Sequence, residues 1–138
     1  SQAYQLDKFK ADTNSVILGT GTYWEGINIE GESLSQVIIY KLPFPVPDPI
    51  INYKMSLTEN PIEEVAVPEM IIKLKQGIGR LIRCANDTGI VSILDPRVSI
   101  EKTKYTDTTL NALSVKKRGE SIEELHTFWN RITNERKK

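Results

Sequence analysis

Met70-Ile71-Ile72-Lys73-Leu74-Lys75-Gln76-Gly77-Ile78-Gly79-Arg80-Leu81-Ile82-Arg83 carries two patterns at once. Met70, Ile71, Leu74, Ile78, Leu81 and Ile82 converge on one side of a helical wheel at about 100° per residue, which predicts a helix packed on a core. Pro68 suits a first helical position, and Asn86-Asp87-Thr88-Gly89 supplies the stop. Gln76, Arg80 and Arg83 are spaced i, i+4, i+7 and fall opposite the apolar stripe. An ordinary solvated face would account for two arginines. Gly77 and Gly79 argue for more, because each costs about 1 kcal/mol against alanine inside a helix. That penalty usually marks the close approach of another backbone or of a ligand. Two planar guanidiniums beside an amide suit an anion with charge spread over several oxygens, above all a triphosphate in transfer.

Around this helix stand short apolar runs bounded by breakers. Val16-Ile17-Leu18 stops at Gly19-Thr20-Gly21-Thr22, Val37-Ile38-Ile39-Tyr40 stops at Pro43, and Ile90-Val91-Ser92-Ile93-Leu94 stops at Asp95-Pro96. Their lack of alternation predicts strands buried on both faces of a parallel sheet. Residues 2–11 hold Leu6 and Phe9 among polar positions and suit a short first helix. Ser121-Ile122-Glu123-Glu124 reads as a capping box, followed by a stripe of Leu125, Phe128, Trp129 and Ile132 that predicts a final helix. Strands alternating with helices define an α/β layered domain. Three strands make a thin sheet, and the first arrives by residue 16, so the chain is expected to begin part-way through a domain, with residues 1–138 forming its C-terminal part.

Composition bounds the function. The 138 residues are 39% apolar and 26% charged, as in globular proteins. No stretch approaches the roughly 20 apolar residues of a membrane span. The start, Ser1-Gln2-Ala3-Tyr4-Gln5-Leu6-Asp7, lacks the basic and apolar regions of a secretory signal, so the expected location is cytoplasmic. The single cysteine, Cys84, excludes an internal disulfide and a four-cysteine metal site within this chain. Eighteen basic and eighteen acidic side chains cancel, so any contact with nucleic acid must come from local groups.

Four blocks then carry a resemblance. Gln76-Gly77-Ile78-Gly79-Arg80-Leu81-Ile82-Arg83 resembles motif VI of superfamily 2 helicases, Gln-x-x-Gly-Arg-x-x-Arg, at every fixed position. Gly19-Thr20-Gly21-Thr22-Tyr23-Trp24-Glu25-Gly26-Ile27-Asn28-Ile29-Glu30-Gly31 resembles motif V, and its Trp-Glu-Gly-Ile form is similar to the DinG/XPD-like branch. Lys41-Leu42-Pro43-Phe44-Pro45-Val46-Pro47-Asp48-Pro49 and Ile93-Leu94-Asp95-Pro96-Arg97 resemble the same branch, in the same order.

The resemblance spans roughly residues 13 to 114. It implies part of a second RecA-like lobe of the P-loop NTPase type, with ATP held between two lobes. By this match Arg80 and Arg83 are expected at the γ-phosphate, with Gln76 a companion donor and Gly79 beside the nucleotide. Thr20 and Thr22 are expected on the single-stranded DNA backbone. Glu25, Gly26 and Asn28 are expected to couple nucleotide to DNA, although Asn28 stands where the family usually has aspartate and lacks its charge.

No Gly-x-x-x-x-Gly-Lys-Ser/Thr loop and no Asp-Glu-x-His box occur in these residues. ATP with Mg2+ is therefore expected mainly on the first RecA-like lobe of the same polypeptide, and no metal site is expected here. One alternative is a nucleotide-gated DNA-binding module serving a linked nuclease; another is a phosphate-binding module with no motor role. Plain readings stand beside these: Trp24 as packing, Pro43 to Pro49 as a stiff loop, Asp95 and Arg97 as a local ion pair, His126 as structural.

Overall fold

The computed structural model describes the chain apart from residues 25–28, 30–33, 83–86, 116 and 138 and the side chains of Thr22 and Arg136. Helix α1 runs Gln2–Ala11 from an N-cap at Ser1, and Phe9 anchors it. A short helix α2, Gly21–Trp24, precedes strand β1, Gln36–Ile39. Helix α3 (Pro49–Ser56) and a π-helical turn (Ile62–Ala66) lead into α4, Val67–Ile78. Strand β2, Ile90–Ile93, is followed by a 3-10 turn at Pro96–Val98, then α5, Thr106–Ala112, and α6, Ile122–Arg136.

The strands pair in parallel, Gln36 opposite Ile90 and Ile39 opposite Ile93. A parallel pair needs a long crossover, and α3, the π-helical turn and α4 supply it. The core lies where α4 crosses this pair. Met70 and Leu74 are fully buried there, with Val67, Ile39, Leu42 and Leu113 around them. Phe9 and Ile29 form a smaller cluster with Leu6, Ile17, Tyr23 and Leu34.

Three expectations need correction. Val16-Ile17-Leu18 does not form a strand, and Val16 and Leu18 are exposed while Ile17 packs on Phe9. A strand exists only through its hydrogen-bonded neighbour, and among the described residues β1 and β2 pair only with each other. Strand β1 is also not covered on both faces: Ile39 is buried while Ile38 is 59% exposed. The central helix, lastly, ends at Ile78 with Gly79 as C-cap. Arg80 and Leu81 continue as a turn, with the Arg80 N–H donating to the Gly77 carbonyl at 3.2 Å and the Ile82 N–H to that of Ile78 at 3.2 Å.

The apolar stripe nonetheless holds inside the helix and at Leu81, which is buried, but not at Ile82, which is exposed. Helix α6 starts as the capping box predicts, the Glu124 N–H donating to Ser121 Oγ at 3.1 Å. The Glu124 carboxylate reaches one residue further back than expected, accepting from the Glu120 N–H at 2.7 Å. Helix α3 begins inside the proline-rich stretch expected as a stiff loop. Asp48 caps it by accepting from the Ile51 N–H at 2.8 Å, with Pro49 in its first turn.

Two long-range ties fix the connections. Asp95, at the end of β2, is buried. Its Oδ2 accepts from the Leu42 N–H at 2.9 Å, and its two oxygens take the Arg97 Nε and Nη2 at 2.9 and 2.6 Å. Arg97 in turn lies 5.0 Å from the centroid of the Phe44 ring. The Asp95 carboxylate thus joins the start of the proline-rich loop to the far strand. The second tie is Trp24. Its indole N–H donates to the Lys73 carbonyl, and its ring covers Gly77 so closely that a β-carbon there would sit 2.5 Å from the ring.

Each tie has a measurable cost. The Arg97 guanidinium holds the Asp95 carboxyl well below its ordinary value of 3.8, against the opposing effect of burial. A depressed folded-state value adds stability that is fully present above pH 3.8 and is lost as the pH falls towards the lower folded value. Asp95→Asn should cost about 2 kcal/mol in urea unfolding at neutral pH and flatten the decline of stability below pH 4. Gly77→Ala should cost about 1–3 kcal/mol despite better helix propensity, since the indole must move. In a Trp24→Ala background the same change should stabilise by about 1 kcal/mol; additive effects in that double-mutant cycle would contradict the packing argument.

Candidate nucleotide and nucleic-acid interface

Thr20 lies on the exposed loop before α2, and its carbonyl accepts from the Tyr23 N–H at 2.9 Å. Thr22 belongs to α2, but its side chain lies outside the described residues, as do Glu25, Gly26 and Asn28. Gln76 is exposed on the last turn of α4, Gly79 is the exposed C-cap, and Arg80 follows half-buried in the turn. Arg83 lies outside the described residues. The segment read as motif VI is therefore a helix end with its turn rather than one continuous helical face.

The two motif-like segments touch. Trp24 brings the loop of Thr20 against α4 at Lys73 and Gly77, one turn before Arg80. Gly77 earns its place through this indole, so its close neighbour is a side chain of the same chain rather than a ligand. Gly79 meets only the carbonyls of the preceding turn, Lys75 O at 3.2 Å and Gln76 O at 3.5 Å. Trp24 is thus a packing residue, and Asp95 and Arg97 form a local ion pair.

Where the loop, the end of β1 and α4 meet there is an open cleft of about 360 Å3. Thr20 and its flanking glycines form one wall, Tyr40 and Lys41 another, Lys73 a third, and Trp24 and Phe44 line its apolar part. Among the described residues that line it, the charged ones are Lys41 and Lys73. Tyr40, Lys41 and Lys73 carried no role in the sequence reading. Their signal was positional: Tyr40 and Lys41 follow the carboxyl end of a parallel strand, where open α/β sheets bind ligands. Among the described residues no group of three or more His, Cys, Asp or Glu side chains is placed to hold a metal, and no helix is long and apolar enough to cross a membrane.

Comparison with known proteins gives this arrangement a context. Residues 1–115 match the family described as the helicase C-terminal domain. The chain is 36% identical over 133 residues to the ATP-dependent DNA helicase YoaA of Haemophilus influenzae, covering 93% of this chain and 20% of that protein. It is 41% identical over 103 residues to the Escherichia coli protein of the same name, covering 71% and 16%. With the 3'-5' exonuclease DinG of Bacillus subtilis it shares 41% over 98 residues, covering 67% and 10%. The chain therefore spans a fifth or less of the length of these relatives. With its parallel strand pair and flanking helices, the chain belongs to the helicase C-terminal domain family, as a partial α/β RecA-like lobe of the DinG-like kind.

Proposed function

We propose that this chain is part of the second motor lobe of an ATP-dependent DinG-like DNA helicase, contacting single-stranded DNA on one side and ATP bound by the first lobe on the other. The observation that carries the reading is the seat of Trp24 on α4. It ties a loop suited to a nucleic-acid backbone to the turn that presents Arg80, so a shift of one segment must be felt by the other. Such two-way coupling is what a motor needs if nucleotide turnover is to alter its grip on DNA.

In this proposal Arg80 and Arg83 stabilise charge on the transferring γ-phosphate, and Gln76 donates a further hydrogen bond. Gly79 lets the turn approach the nucleotide. Glu25, Gly26 and Asn28 carry the coupling between nucleotide and DNA, and Thr20 and Thr22 hold the DNA backbone. Magnesium travels with the phosphates and is assigned to carboxylates of the first lobe. The relatives named ATP-dependent DNA helicases support the reading. The Bacillus relative named an exonuclease supports a second one, in which the lobe gates a linked nuclease. Strand separation measured against nucleolysis on the intact protein distinguishes the two.

The isolated chain should show no DNA-stimulated ATPase; turnover that co-purifies with the chain and disappears in Arg80→Ala would overturn this. In the intact protein, Arg80→Lys or Arg83→Lys should lower kcat by about 10³, because a point charge cannot replace a bidentate fork. Nucleotide affinity should change far less. Near-normal ATPase in both folded variants would remove the arginines from the transition state.

A further inference from the structure

The cleft beside Thr20 contains more than a backbone contact requires. Its apolar part is lined by Trp24 and Phe44, both already committed: Trp24 to α4, Phe44 to an edge-on contact with Tyr105 at 5.6 Å. Tyr40 is different. It closes the carboxyl end of β1, lines the cleft and is 73% exposed. Lys41 lies 5.8 Å from the centroid of its ring, and Lys73 faces the same space from α4. In a chain whose charges cancel overall, the two lysines that are the charged side chains among the described lining residues favour an anion locally. The exposed Tyr40 ring beside Lys41 favours a flat, electron-rich partner as well.

A backbone anion alone would need only the lysines, and an apolar ligand only the ring. We infer that the cleft receives one nucleotide of single-stranded DNA, its base stacked on Tyr40 and its phosphate between Lys41 and Lys73, next to the backbone contact at Thr20. This rests on the DNA-binding reading above and adds to it a base-stacking platform and a phosphate clamp. Lys73 also gives the clamp a route to the nucleotide side. Its carbonyl accepts from Trp24, about two turns before Arg80, so a displacement of α4 moves the clamp.

The test is binding of a fluorescein-labelled oligothymidylate to the 138-residue chain, read by anisotropy across a salt series. Tyr40→Ala should weaken binding about tenfold, and an abasic oligomer should weaken wild-type binding similarly. On the abasic oligomer Tyr40→Ala should then have no further effect. Lys41→Gln with Lys73→Gln should lower the slope of log affinity against log salt by about 1.4. The Lys73 side chain can be changed without removing the carbonyl that holds Trp24, and circular dichroism checks the fold.

If the oligomer binds and Thr20→Val weakens it while the Tyr40 and lysine variants match wild type, DNA binding stands and this inference falls. Tripolyphosphate displacing the oligomer with no difference between normal and abasic strands would make the cleft a plain anion site and also overturn it. Absence of any binding at low salt would remove both this inference and the reading beneath it.

Discussion

The indole of Trp24 lying in the notch left by Gly77 is the contact on which the arrangement of the molecule turns. Helix α4 holds the core through Met70 and Leu74 on one side and receives the indole on another. Without a flat side the helix could not accept a ring and still keep its own hydrogen bonds. Glycine provides that flat side at a local cost in helix propensity. The Lys73 carbonyl, accepting the indole N–H, fixes the ring along the helix axis. A loop and a helix end that are distant in sequence are thereby held in one mutual position.

Asp95 performs the complementary task at the other end of the crossover. Proline has no N–H to give a sheet, so the chain leaving β1 at Leu42-Pro43 needs another anchor. The Leu42 N–H finds it in the carboxylate at the end of β2. Burying that charge is tolerable because the Arg97 fork meets it directly and the Arg97 N–H donates to it at 3.1 Å. The edge-on contact of Phe44 with Tyr105 continues the chain of contacts to the start of α5.

How far the sequence could be read follows from the range of the forces involved. Local signals worked. The Ser121 cap, the stripe of Met70, Leu74 and Leu81, and the apolar runs of β1 and β2 are decided by neighbours a few residues away. Asp48-Pro49 was equally local, a cap followed by a first-turn proline, and was hidden only by the row of prolines around it. Val16-Ile17-Leu18 failed for another reason, because strand state depends on a partner that composition cannot supply. The reach of α4 was overestimated by carrying one periodicity across two glycines, although the second caps the helix. The purpose of Gly77 lay beyond any periodicity, since its partner is far away in sequence. For the site, the family pattern gave positions, while Tyr40, Lys41 and Lys73 emerge only when β1, α4 and the Thr20 loop are seen to border one space.

The long span of both ties bears on how the chain reaches this state. Trp24 and Lys73 are 49 residues apart, and Leu42 and Asp95 are 53 apart. The parallel strands likewise lie on either side of the whole crossover, so hardly any of the joining contacts can form early by local search. Loop closure must be met before the contacts repay it, which slows folding relative to a helical bundle of similar size. Closing either loop brings the ends of the other closer together, so the two reinforce one another kinetically. Helix α4 carries the end of the first loop at Lys73 and lies inside the second, so its formation shortens the search for both.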